Sequence, residues 1–467
     1  MQGAVLEAGR GHRRALAMVP RPPGPAVTGT RGVADGSPSA SDPRQPSALR
    51  QRNFVLYLAG VILSEVGTQG SFAALLFHIY DLTGSTAQVG LLVLAYGIAA
   101  VAIGPLGGYY ADRVDRRRLL QASQALAMLA SLGLGLVTLY SDERPWHLMV
   151  AALLISCAAA VENPVRKAII AALVPGDQLV RAFAVANPLR QVGHLTGPAL
   201  AGAIIALAGP GLMYVVDAGT VVALIVILQL MRFSSTQGPT TTGLWTSMTE
   251  GARFIVRRPV IVQLMALDLS TTLFAAYRVV LPALAVDILQ VGASGYGILG
   301  AAPAAGALLA GVVAYALAAT TVAPGHIALA ATIGLGASAV LLAQARSLAV
   351  AALAAGGIGL CNAVAAVIRQ AALLIESPDG LRGRVSALYG VVSKGGPAIG
   401  DAAMGAVAAV LGVATALTLG GMVPILYGAV AAASSESIRG YRATVPNRSH
   451  QPDAAGGVGE RAASDRR

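Results

Sequence analysis

The sequence predicts an all-α membrane protein: twelve transmembrane helices in two pseudo-symmetric six-helix bundles. Three observations carry this expectation. First, 55% of the 467 residues are hydrophobic and only 12% are charged, about half the charge of a soluble domain, and mean hydropathy is +0.67. Second, twelve apolar segments follow one another at residues 53–78, 87–110, 119–140, 147–165, 181–208, 211–231, 260–286, 294–318, 326–345, 347–368, 384–410 and 413–434. Each is long enough to cross a hydrocarbon core of about 30 Å at about 1.5 Å per residue. Such segments are helical, because lipid offers their backbone no other hydrogen-bonding partner. Third, the chain repeats itself weakly at an offset of about 203 residues, as duplicated transporter halves do: Glu65 maps to Asp268, Gly108 to Gly311, Arg166 to Arg369, Pro175 to Pro378 and Arg181 to Arg384.

In chain order, residues 1–50 are rich in Pro, Gly, Ser and Arg and read as a disordered basic tail. Their apolar patch, Leu16–Val19, is too short for a signal peptide and is broken by Pro20. Residues 51–231 form the first bundle. Residues 232–259 form a linker, with Gly238-Pro-Thr-Thr-Thr-Gly243 followed by an amphipathic piece from Ser247 to Arg258. Residues 260–434 form the second bundle and 435–467 a second polar tail.

The connections alternate in charge. One side collects Arg113, Arg116, Arg117, Arg118, Arg166, Lys167, Arg232, Arg253, Arg257, Arg258, Arg382 and Arg384; the other has only Arg144 and Arg346 among several acids. The positive-inside rule therefore puts both termini in the cytoplasm of a multi-pass cell-membrane protein. The net charge of +11 is thus a matter of orientation. With no basic soluble domain to bind it, nucleic acid is not an expected partner. Cys157 and Cys361 lie inside apolar segments and read as small packing residues, so neither a disulfide framework nor a metal site is indicated. No P-loop or H-E-x-x-H spacing occurs, and no cofactor or enzymatic activity is implied.

Ionisable groups inside the apolar segments are the functional candidates. A charge near the bilayer centre costs about 2.5–3.5 kcal/mol or more. Glu65, near the middle of segment one, is the first candidate for handling a proton, and Asp268, its equivalent in segment seven, the second. Arg278 lies ten residues beyond Asp268, too far along one helix to pair with it, which makes Glu65 a candidate partner for Arg278. Arg190, His194, Lys394 and Asp401 are further intramembrane groups in segments five and eleven. The competing reading for Glu65 is a paired carboxylate that holds helices together.

The run Gly108-Tyr-Tyr-Ala-Asp112-Arg113-Val-Asp115-Arg116-Arg117-Arg118 follows segment two. Its form, G-x-x-x-D-R-x-x-R-R, resembles the loop between helices two and three of the major facilitator superfamily. Asp115 stands where that pattern has glycine; Asp is among the few residues that enter the left-handed region readily, so the turn survives. The resemblance implies a conformational gate made by Gly108, Asp112, Arg113, Arg116 and Arg117, with Asp112 facing the start of helix eleven near Gly383 and pairing with Arg116. The second-half copy keeps Gly311 but not the charges, which makes the gate asymmetric. In segment five, Gly193, Gly197, Pro198 and Gly202 resemble the antiporter motif of the superfamily, with Ala201 in place of one glycine; small residues at this spacing also allow plain close packing. Pro164, Arg166, Ala168 and Leu173-Val174-Pro175 resemble the stretch after helix four in its enterobactin-exporter-like and multidrug-pump subgroup.

The resemblance covers most of residues 51–434 and implies a monomeric, proton-coupled exporter of a drug, siderophore or other small natural product. Helices one, four, seven and ten would line its cavity. In that expectation Glu65 and then Asp268 exchange protons for substrate, with Arg278 and Arg190 in the same cavity. An importer or facilitator on the same fold is the alternative, and a non-transporting membrane sensor the alternative of another class.

Overall fold

The computed structural model describes residues 52–111, 113–175, 178–231, 252–318, 320, 322–377, 382–439 and 441, with some side chains near 105–111 and 382–394 left aside. The first tail, the second tail beyond Tyr441, most of the 232–259 linker, and Asp112 with its expected gate contacts lie outside the described residues. The long helices are α1 (Arg52–Thr83), α2 (Thr86–Ala111), α3 (Arg116–Tyr140), α4 (Pro145–Leu173), α5 (Leu179–Ala208), α6 (Pro210–Leu230), α7 (Pro259–Phe274), α8 (Gly292–Ala318), α9 (Pro324–Ala343), α10 (Leu348–Glu376), α11 (Arg382–Leu411) and α12 (Val413–Ser434). Among the described residues, eleven spans are long and apolar enough to cross a membrane, with α7 counted through to Ile288; α11, with side chains in its first half left aside, adds the described apolar stretch Gly395–Leu411.

Sequence chemistry sets the helix ends. Proline occupies the first turn of α4, α6, α7 and α9, where its missing N–H costs nothing. Gly209 and Gly412 have φ of 81° and 82° and turn the chain between α5 and α6 and between α11 and α12. They stand at equivalent places in the two halves, and a side chain would be strained in either.

Four differences from expectation have physical causes. The seventh apolar segment is not one regular helix: α7 ends at Phe274, and the chain resumes as a 3₁₀ turn at Arg278–Val280, a helical turn at Leu281–Ala283 and a π-turn at Leu284–Ile288. The helices α4 and α10 run well past their apolar stretches, so Arg166, expected in a connection, is 9% exposed inside α4. Paired guanidiniums make such a polar extension tolerable. The expected second tail is ordered at its start, where a short helix α13 (Glu436–Arg439) buries Ile438 and Tyr441 follows it into the core. Asp115 does not enter the left-handed region; at φ −53° and ψ 114° it caps α3, accepting from the N–H groups of Arg117 and Arg118.

The halves, α1–α6 and α7–α12, are fastened at one end. The helix pairs α5–α8 and α2–α11 cross between them through small residues. A Cβ on Gly202 would meet the Gly297 Cα at 2.6 Å, and one on Gly405 the Gly90 Cα at 3.0 Å. The Gly405–Gly90 approach has its repeat equivalent in Gly202 against the Ala293 carbonyl oxygen, at 2.6 Å. A single apolar cluster including Leu75, Ile79, Leu92, Leu284, Leu299 and Leu417 joins both halves at this end. Toward the opposite end the described apolar clusters belong to one half or the other.

Candidate transport site

Each half carries the same buried ion pair. In the first, Glu65 on α1 is 5% exposed and faces Arg166 on α4, Nη1 to Oε2, at 2.9 Å. Arg166 also pairs with Glu162 one turn before it, and Glu162 accepts from Gln124 of α3 at 2.7 Å. Glu65 gathers Arg190 at 3.4 Å and His194 at 3.5 Å from α5, and Gln69 donates to it at 3.0 Å. In the second half, Asp268 on α7 is 3% exposed and faces Arg369 on α10 at 2.7 Å. Tyr389 of α11 donates to Asp268 at 3.4 Å and accepts from Arg369 at 3.4 Å. The arginine partners were legible in the repeat register, which sets Arg166 to Arg369 as it sets Glu65 to Asp268. Composition alone hides them, because Arg166 stands among loop-like charges. Glu65 is therefore not the partner of Arg278.

The helix-five glycines serve this arrangement. A Cβ on Gly193 would lie 2.7 Å from Glu65 Cγ, and one on Gly197 would lie 2.8 Å from the backbone N of Gly70. These glycines bring α5 against α1 and make room for the buried carboxylate. Pro198 and Gly202 face α8 instead, so one motif packs in both directions. Asp217 of α6, a buried acid that periodicity did not single out, accepts from Ser131 of α3 at 2.6 Å.

Two chambers of about 230 and 300 Å³ lie between the halves, and a third of about 140 Å³, lined by the second half, adjoins them. Arg278 lines all three, at the point where the seventh span loses its helical hydrogen bonds. Non-helical backbone at membrane depth is tolerated where it lines a cavity, and broken helices mark binding sites in transporters. Asp401 of α11 is 6% exposed and lines two of the chambers. The remaining wall includes Phe72, Tyr96, Tyr277, Tyr296 and Asn362. Helices α2, α5, α8 and α11 thus join the expected one, four, seven and ten. Arg190 opens instead onto a separate 450 Å³ hollow within the first half, beside Arg166 and Lys167.

Of the charged loop, Gly108 falls in the last turns of α2, Arg113 is exposed just beyond it and Arg116 opens α3. Arg117 ties α3 to the end of α6, donating to the carbonyls of Met231 at 3.1 Å and Gln229 at 2.8 Å. A cation there completes carbonyls that the helix terminus leaves unpaired.

Comparison with known proteins agrees with this geometry. The transmembrane secretion effector family profile matches residues 45–454. An enterobactin exporter from Escherichia coli O1:K1 is 28% identical over 376 residues, covering 79% of this chain and 88% of the relative. One from Salmonella choleraesuis is 27% identical over 375 residues, with 79% and 89% covered. Among solved structures, a D-xylose–proton symporter superposes with a TM-score of 0.65 at 14% identity, covering 83% of this chain and 99% of that one. An inward-facing bacterial homologue of the human lysosomal transporter Spinster gives 0.63 at 16% identity, with 82% and 96% covered.

Proposed function

Because the chain belongs to the transmembrane secretion effector family and is a major facilitator transporter of small molecules, we propose that it exports a siderophore-like or drug-like natural product in exchange for protons. The observation that carries this reading is the chambered cavity between the halves, built on the break in the seventh span. The resemblance to enterobactin exporters supports outward direction and the substrate class. With both termini in the cytoplasm, the fastened end faces outward and substrate enters from inside. Alternating access rocks the two halves about the α5–α8 and α2–α11 crossings.

A proton moving inward yields about 2.3 kcal/mol per 100 mV, enough for a substrate gradient of roughly fifty-fold per proton. In this reading Glu65 and Asp268 hold helices in place: protonating Asp268 would leave the buried Arg369 without its counter-charge, and protonating Glu65 would remove the charge that Arg166 and Arg190 share, which is expensive. Arg113, Arg116 and Arg117, with Asp112, anchor the cytoplasmic side.

The test is a deletion strain screened for susceptibility and intracellular accumulation across a compound panel, followed by counterflow in oriented vesicles. The expected outcome is accumulation of at least one compound in the strain and uptake into inside-out vesicles driven by an acidic interior. Uptake driven in the opposite sense identifies an importer and overturns the proposal.

A further inference from the structure

Arg278 and Asp401 are the only Asp, Glu, Lys or Arg side chains among the described residues lining the three central chambers. Both are unengaged. Arg278 is accessible from the cavity and makes no ion pair among the described residues; Asp401 makes neither an ion pair nor a side-chain hydrogen bond among them. Their opposed charges line the same two chambers without reaching ion-pair distance, which leaves a gap between them. Every other deep acid described above is answered: Glu65 by Arg166, Asp268 by Arg369, Asp217 by Ser131.

The scaffold holds this gap firmly. Gly400, next to Asp401, packs α11 against the backbone of Thr272 and Leu273, where α7 ends. The Asp401 backbone in turn abuts Gly90 of α2. Under the repeat, Asp401 occupies the place of Pro198, so the second half carries an acid where the first carries a helix breaker. The other titratable groups facing these chambers are His194 of α5, already against Glu65, Tyr96 of α2, Tyr277 beside Arg278 and Tyr296 of α8.

We propose that Arg278 and Asp401 form a two-point site for an amphoteric substrate, and that a proton competes with this substrate for Asp401. The substrate's anionic group accepts from the Arg278 guanidinium, and its ammonium or hydroxyl donates to the Asp401 carboxylate. A protonated Asp401 has lost that acceptor charge, so substrate and proton exclude one another, as exchange transport requires. The proton leaves Asp401 for the cytoplasm when substrate enters and returns from outside once substrate has gone. Apart from the O–H bond of the Asp401 carboxyl, no covalent bond forms or breaks. The inference rests on the export reading only for the direction of exchange.

Purified protein in lipid nanodiscs tests it by pH-difference infrared spectroscopy. With Asp217→Asn as the background throughout, and near neutral pH where exposed carboxylates stay ionised, acidification should raise a protonated-carboxyl band with and without Glu65→Gln. The band should be absent in Asp401→Asn and return, displaced, in Asp401→Glu. Norfloxacin, which carries a carboxylate and an ammonium, serves as the probe ligand. It should diminish the band in this background, and its affinity should fall by about tenfold or more in both Arg278→Gln and Asp401→Asn. A band that survives Asp401→Asn overturns the assignment. Failure of norfloxacin to bind, or binding indifferent to both substitutions, overturns the two-point site. If no compound is exported by cells while the band and the binding behave as described, the export reading fails and this assignment stands.

Discussion

Arg166 pairs with two acids from different helices, Glu65 of α1 and Glu162 of α4, and Arg190 supplies the second positive charge. Removing one member of a buried pair leaves the other uncompensated, at a cost of about 3–5 kcal/mol. Arg166→Gln should therefore lower the thermal midpoint of the purified protein strongly. Glu65→Gln should lower it less, because Glu162 still faces Arg166. The double variant should be less destabilised than the two single losses added together, a departure from additivity expected of contacting groups. Strict additivity in a double-mutant cycle, read by unfolding in detergent, would show that the pair does not act as a unit. Intramembrane acids were legible in the sequence because hydrocarbon makes any charge conspicuous. Their partners were less so: Arg166 lies at the polar end of α4, where composition does not separate a buried cation from a loop cation.

Among elements, α5 brings its backbone close against that of α1. Alanine at Gly197 would place its Cβ 2.8 Å from the backbone N of Gly70 and 2.9 Å from the Val66 carbonyl oxygen, whereas alanine at Gly193 would meet only the side chain and backbone of Glu65, with side-chain atoms nearest. Backbone cannot swing aside as a side chain can. Gly197→Ala should cost about 1–3 kcal/mol and exceed Gly193→Ala in lost thermal stability; equal losses would mean that α5 shifts as a rigid body to relieve both. The twelve spans themselves were readable from apolar run length, since each must satisfy its own backbone. The break after Phe274 was not, because the residues around it, Leu273-Phe-Ala-Ala-Tyr-Arg278, contain no proline or glycine. It arises from tertiary surroundings, where the cavity accepts a backbone that lipid would reject.

At the scale of the whole molecule, the fastened end holds polar links between the halves. Tyr80 of α1 donates to Asp287 beyond the seventh-span break, Tyr296 of α8 donates to the Ala73 carbonyl at 2.9 Å, and Thr86 of α2 donates to the Gly405 carbonyl at 2.9 Å. Loss of one such bond is worth about 0.5–1.5 kcal/mol, so Tyr80→Phe should move the balance between the two facing states by about two- to tenfold. Distances between spin labels on the two halves would read that shift, and an unchanged distribution would place the governing contacts elsewhere. Cysteines at positions 80 and 287 joined by a short reducible crosslinker should stop transport, and reduction should restore it. Transport that continues through the crosslink would rule out rocking about this end.

The polar content of α11 bears on how the chain enters its membrane. Within Arg382–Leu411 the sequence carries Arg382, Arg384, Lys394 and Asp401, and each charge at membrane depth costs about 2.5–3.5 kcal/mol. The Gly412 turn binds α11 to the apolar α12 with no intervening loop. During synthesis α11 should therefore wait for α12 and insert with it as a hairpin. A glycosylation tag placed after Leu411 should report poor translocation of a chain ending there, while the same helix followed by α12 crosses efficiently.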